Sequence, residues 1–212
     1  MNKGLHIKVC GMKNVQNLED ICLLEPDYVG FIFVEQSPRY VGRNPDPALF
    51  RIPGKGIRRI GVFVDASEKY IREQLDQDRI DGLQLHGSES PQFCCKLRQE
   101  GITVIKALPS ASLREKEALV QWKDAVDHLL IDSPSKGQGG SGHKFDWSLL
   151  EKVAFAQPFF LSGGIAPGDA GSIRTLQHPL LYGVDVNSGF EQKPGLKDVE
   201  KLRHFIKELR TR

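Results

Sequence analysis

The chain has 212 residues, 40% of them hydrophobic and 26% charged, with a formal net charge of +2. That balance lacks both the basic surplus of a nucleic-acid or membrane-surface binder and the polar, highly charged composition of a disordered chain. No apolar run approaches the ~20 residues of a membrane span, and the opening MNKGLHIKVCGM lacks the apolar core of a signal peptide, so a cytoplasmic protein is expected.

Short apolar, β-branched runs alternate along the chain with segments of helical period. Strands are predicted at Leu5–Cys10, Tyr28–Val34, Arg59–Val64, Gly82–His86, Thr103–Leu108, His128–Asp132, Pro158–Ser162 and Leu181–Val186. Most are near-continuous hydrophobic runs, the pattern of strands buried on both faces of a parallel sheet. The first interleaved helix puts Val15, Leu18 and Cys22 on one stripe, and the last puts Val199, Leu202, Phe205, Ile206 and Leu209 on another. Further helices are predicted at Tyr70–Asp76, Pro91–Glu100 and Ser112–Trp122, with shorter ones near Asp46–Ile52 and Trp147–Val153. Eight βα units of about 25 residues predict an α/β fold, a single (β/α)8 TIM barrel over residues 1–212. An open doubly wound sheet needs fewer strands.

Cys10, Cys22, Cys94 and Cys95 show no C-x-x-C spacing and are expected as free thiols. Cys22, Cys94 and Cys95 lie in or beside helical stripes and read as structural, as Trp122 and Trp147 read as packing residues. Cys10 ends a strand before a glycine, which predicts an accessible sulfur. Strand alternation puts Lys8 on the same face about 6.6 Å away, where an ammonium would favour the thiolate. Packed alone, Cys10 would be an ordinary small hydrophobe.

In a barrel the C-terminal ends of the strands build the active site. Here those ends carry Cys10, Arg39, His86, Asp132 and Asp185, a concentration that packing does not explain. Asp132 follows an apolar run, so desolvation would favour its protonated form; as a cap it would need no such role. A thiolate base and a carboxylic acid across the mouth would make a proton-transfer pair. Arg39, stiffened by Pro38, would grip a carboxylate with two hydrogen bonds, although isolated arginines more commonly form surface ion pairs.

Gly163 and Gly164 after the seventh strand, and Asn187, Ser188 and Gly189 after the eighth, stand where barrels bind phosphate through backbone N–H groups. Gly140, Ser141 and Gly142, in the loop Ser133–His143, add more such amides. The chain has no G-x-x-x-x-G-K-[ST] loop, so the expected ligand is a small phosphorylated metabolite. The histidines show no paired metal-ligand spacing, and no metal is expected.

In order, KVCGM, FxxxSPRYV, GVFVD, QLHG, LLIDS, GGSGHKFDW, LSGGI-x-P and GVDVNSGFE…PG-x-KD match one family. From Lys8 to Asp198 the sequence resembles the phosphoribosylanthranilate isomerases of tryptophan biosynthesis. The resemblance implies a (β/α)8 barrel that performs an Amadori rearrangement without cofactor or metal, as a monomer or a homodimer. It implies Cys10 as general base, Asp132 as general acid and Arg39 as the holder of the anthranilate carboxylate. Phosphate would fall to Gly163, Gly164, Asn187 and Ser188, with His86 and Asp185 lining the sugar site. Lys13, Ser141, Ser162 and Asn187 depart from the family's common Thr, Thr, Ala and Ser, near the site but at none of the acid–base positions.

Three rival readings are weaker. The related isomerase of histidine biosynthesis uses two aspartates, against which Cys10 speaks. A metal-dependent sugar-phosphate epimerase would need a histidine ligand set. A barrel that binds without turnover would have no reason to keep Cys10, Arg39 and Asp132 together.

Overall fold

A computed structural model describes residues 4–133 and 145–211. Its parallel strands are β1 (His6–Cys10), β2 (Tyr28–Ile32), β3 (Arg58–Phe63), β4 (Gly82–Leu85), β5 (Thr103–Pro109), β6 (His128–Asp132), β7 (Phe159–Leu161) and β8 (Leu181–Val186). They hydrogen-bond in chain order and close into a barrel, with Lys8 of β1 opposite Asp185 of β8. The expected TIM barrel is therefore observed.

Helices α1 (Val15–Cys22), α2 (Ala48–Arg51), α3 (Glu68–Asp76), α4 (Pro91–Gln99), α5 (Lys116–Val120), α6 (Ala170–Thr175) and α7 (Val199–Arg210) follow the strands. Short polar side chains start the longer ones: Asn14, Ser67, Ser90 and Asp198 each accept a first-turn backbone N–H, which satisfies a donor the helix itself leaves orphaned. The apolar faces of α1 and α7 deliver Leu18, Ile21, Leu202, Phe205 and Ile206 to the large core between helices and sheet. Alternation along the strands sends Ile105, Leu130 and Phe160 to a separate, smaller cluster.

Some expected helices take other forms. Ser112–Trp122 is not one helix: a 3-10 turn at Ser110–Arg114 and α5 are separated by extended backbone at Glu115. Trp147–Lys152 is a 3-10 helix. The unexpected α6 spans only six residues, too few to show a period in sequence. After β8 comes a small antiparallel hairpin, β9 (Glu191–Lys193) and β10 (Leu196–Lys197), also unexpected.

The N-terminal end of the barrel is fastened by a repeated device. Asp27, Asp81 and Asp127 each stand one residue before β2, β4 and β6. Their carboxylates accept the backbone N–H of Ile7, Arg59 and Val104 on the preceding strand, at 2.9, 2.8 and 2.8 Å. Each aspartate's own N–H returns a bond to the same residue's carbonyl. The chain clamps three strand pairs in register this way. Beneath them, Tyr182 stacks on His6 at 4.2 Å, meets the His128 ring at 4.3 Å and bonds the Tyr28 hydroxyl at 2.8 Å. Burial pushes the His128 ring down to about 4, the Asp127 charge opposing it only in part. Among the described residues no helix is long and apolar enough to cross a membrane.

Candidate active site

The C-terminal rim is built around Cys10. Its Cα pairs with Gly30 on β2, and a Cβ there would lie 2.8 Å from the sulfur, so glycine is what seats the thiol. Gly11 follows in left-handed backbone (φ +79°), and its missing side chain leaves room for Arg39 and Asn187.

Cys10 is only 3% exposed, which corrects the expectation of an accessible sulfur. Burial pushes the thiol up, outweighing Lys8 and Lys197, which favour the thiolate; Asp185 opposes them. The thiolate-favouring effect expected from Lys8 is present but does not win. Lys8 is itself wholly buried and donates to Asp185 Oδ1 at 2.8 Å. Burial pulls its ammonium down, but Asp185 and Cys10 more than restore it, so Lys8 stays charged.

Asp132 ends β6 with its side chain 28% exposed, and His86 Nε2 lies 3.4 Å from its Oδ2. It therefore meets solvent and a neighbouring imidazole rather than the apolar surround expected of it. A stiff loop carries His86: its N–H donates to Phe63 O at 2.8 Å. The buried Lys106 grips Leu85 O, Gly87 O and Glu89 Oε2 at 3.2, 2.6 and 2.9 Å.

Arg39 is not a free guanidinium. Glu191 takes its Nε at 2.9 and 3.0 Å and its Nη2 at 2.6 Å, leaving Nη1 and part of Nη2 to receive a ligand carboxylate. Burial pushes the Glu191 carboxyl up, but Arg39 and Lys197 outweigh it and hold the group below its usual range.

Around the rim, Gly163 and Gly164 both take left-handed backbone (φ +82° and +67°). A side chain on Gly163 would strike Ser133, and one on Gly189 would strike the Ile165 carbonyl. Ser188 opens a 3-10 turn, Ser188–Phe190. The Asn187 side-chain oxygen accepts from Lys197 Nζ at 2.7 Å, which leaves its amide N–H groups and its backbone as donors for an anion. Gly140, Ser141 and Gly142 lie outside the described residues. Cys10, Asp132, Arg39, His86, Asp185 and the described glycines thus share one rim, where a thiol, a carboxyl, an imidazole and a guanidinium face one mouth.

The sequence model of N-(5'-phosphoribosyl)anthranilate (PRA) isomerase matches residues 7–208. The chain belongs to that family. It is 42% identical over 204 residues to the N-(5'-phosphoribosyl)anthranilate isomerase of Parabacteroides distasonis, with 96% of this chain and 92% of that one covered. Its fold superposes on the phosphoribosyl anthranilate isomerase of Thermus thermophilus with a TM-score of 0.82 at 28% identity, covering 97% and 98% of the two chains. Another member, at TM-score 0.78, 29% identity and coverage of 97% and 98%, was solved with reduced 1-(o-carboxyphenylamino)-1-deoxyribulose 5-phosphate.

Set against the PRA isomerase motifs quoted above, the reading of single residues passed over two buried charges, Glu191 and Lys197. Both stand in the family string GFE…PG-x-KD, and that was the available signal: hairpin carboxylates and lysines look like surface residues until the fold buries them.

Proposed function

We propose that this chain isomerises N-(5-phosphoribosyl)anthranilate to 1-(2-carboxyphenylamino)-1-deoxy-D-ribulose 5-phosphate by general acid–base catalysis. The observation that carries this reading is the pairing of a lysine-flanked thiol with a partly solvated carboxyl group on one glycine-lined rim.

Asp132, as the acid, gives a proton to the furanose ring oxygen while the bond from C1 to that oxygen breaks. The anthranilate nitrogen's lone pair forms the C1=N double bond of a Schiff base. Cys10, as thiolate, then takes the C2 proton, and the C–H electron pair forms the C1=C2 double bond of an enolamine. Tautomerisation moves the enol hydroxyl proton to C1 and leaves the ketone at C2. One proton is given and one taken, so the cycle closes when Cys10's proton returns to Asp132. Arg39 would orient the anthranilate carboxylate through the N–H groups Glu191 leaves free, and backbone amides near Gly163, Gly164 and Ser188 would hold the phosphate. His86, beside Asp132, would line the sugar.

The test is complementation of a tryptophan auxotroph that lacks this isomerase step. Growth without tryptophan is expected from the intact chain and not from Asp132→Asn. Failure of the intact chain despite soluble expression would overturn the reading.

A further inference from the structure

Lys197 is a buried cation to which the mechanism above gives no task. Its backbone is fixed from both sides by Asn17 of α1: the N–H donates to Asn17 Oδ1 at 2.7 Å, and the carbonyl accepts from Asn17 Nδ2 at 2.9 Å. The register shift between Leu196 and Lys197 marks where β10 leaves regular pairing. With the backbone pinned, the side chain is fully enclosed, and Nζ bonds Asn187 Oδ1 at 2.7 Å and Glu191 Oε1 at 2.8 Å. An ammonium has three donors, and these contacts use two.

The charges do not balance without the thiol. Lys8 is matched by Asp185, but Lys197 and Arg39 share the single carboxylate of Glu191. Three buried or nearly buried cations therefore face two carboxylates. An unmatched buried charge is costly, and a lysine serving only to latch the hairpin would not require one. Before a ligand carboxylate reaches Arg39, ionised Cys10 brings the cluster to neutrality.

We propose that Lys197 is a positioning residue for Cys10, the second ammonium that, with Lys8, lowers the cost of forming the thiolate inside a site walled off from water. The charged groups facing Cys10 are Lys8 and Asp185 from the barrel strands and Lys197 from the hairpin, with Glu191 and Arg39 behind Lys197. Burial pulls the Lys197 ammonium down and outweighs Glu191 and Cys10, which hold it up; within that balance Lys197 and Cys10 each favour the other's charged form. Lys8 acts on the thiol more strongly than Lys197, with Asp185 opposing both, so Lys197 adds to an effect that Lys8 begins.

The activity arm of the test rests on the reading of Cys10 as the base; the titration arm does not. Lys197→Met, Lys197→Arg and Glu191→Gln are each made alone and combined with Cys10→Ala. The ultraviolet absorbance difference between the two backgrounds then titrates Cys10 alone. Lys197→Met moves the midpoint up by about one pH unit or more, Lys197→Arg restores it, and Glu191→Gln moves it down by freeing Lys197 of its counter-charge. Because the last effect has the opposite sign, it tests the proposal even if Lys197→Met does not fold. In kinetics, Lys197→Met loses roughly tenfold in kcat near neutral pH and recovers as pH rises, with KM little changed. Cys10 midpoints that stay at the wild-type value in folded Lys197→Met or Glu191→Gln would overturn the proposal, whatever happens to the rate. A midpoint that moves while kcat keeps its pH profile would uphold it and overturn Cys10 as the base.

Discussion

The two ends of the barrel use the same residue types for opposite purposes. At the N-terminal end, Asp27, Asp81 and Asp127 spend their carboxylates on strand N–H groups, and Arg59 answers Asp81 and Asp78 besides. At the C-terminal end, Asp185 meets an ammonium, and Glu191 meets an ammonium and a guanidinium as well as the Gly195 N–H. The lower carboxylates fix backbone, whereas the upper ones set how much charge surrounds a thiol. A carboxylate bonded to backbone amides is spent on register; one bonded to a mobile proton's neighbourhood remains available to chemistry. The contrast predicts that damage at one end should cost stability and at the other should cost rate.

The largest expected effect breaks the upper end. Cys10→Ala and Asp132→Asn each lower kcat by about 10²–10⁴, the usual share of acid–base catalysis, with the thermal midpoint nearly unchanged. Steady-state kinetics beside a melting curve checks this, and near wild-type turnover in either variant would erase the contrast.

Next comes acid. The His128 ring falls from its ordinary 6.5 to about 4 on folding, so the unfolded chain takes up its proton first. The stability this contributes is present in full above pH ~6.5 and is lost as pH falls toward 4, about 3 kcal/mol at most. Urea unfolding across that window should show the loss, and His128→Phe should remove this share of it. His128 sits at the lower end, so turnover per folded molecule should not follow the same curve.

A smaller effect isolates one clamp. Asp81→Ala strips a backbone N–H and Arg59 of their acceptor; with solvent screening, the cost is about 1–2 kcal/mol. Burial pushes the Asp81 carboxyl up, but Arg59 outweighs it and holds the group low. The contribution is therefore present above pH ~4 and fades as pH falls through the lowered value. The denaturant midpoint should drop and kcat/KM should not. The smallest effect is none: EDTA leaves turnover unchanged, because Asp185 and Glu191 are already committed to lysine and arginine.

The barrel was legible because strands buried on both faces read as unbroken apolar runs, and the rim was legible because function collects where those runs end. Cys10, Asp132 and Asp185 could be placed by counting to the end of a strand, while Arg39 lies in the loop after β2. Other features leave no local trace. Glu191 meets Arg39 across 152 positions, and no spacing rule connects them. The sign of the effect on Cys10 depends on how completely the fold excludes water, which the neighbouring Lys8 cannot reveal. The extended residue Glu115 breaks a segment whose apolar spacing alone reads as one helix.

The aspartate clamps also set an order in which the barrel should open. They join β1 to β2, β3 to β4 and β5 to β6, but Leu180 stands before β8 where the device would require aspartate. There the pairing with β7 slips register between Phe159 and Phe160. Native-state hydrogen exchange should therefore find three strand pairs that lose protection as units and a fourth that lets go sooner. That fourth pair leads into Gly163, Gly164 and Ser188. Of the four pairs, the one without a clamp is thus the one that leads to the glycine-rich mouth, and a bound phosphate bridging the two loops would act as its missing stitch.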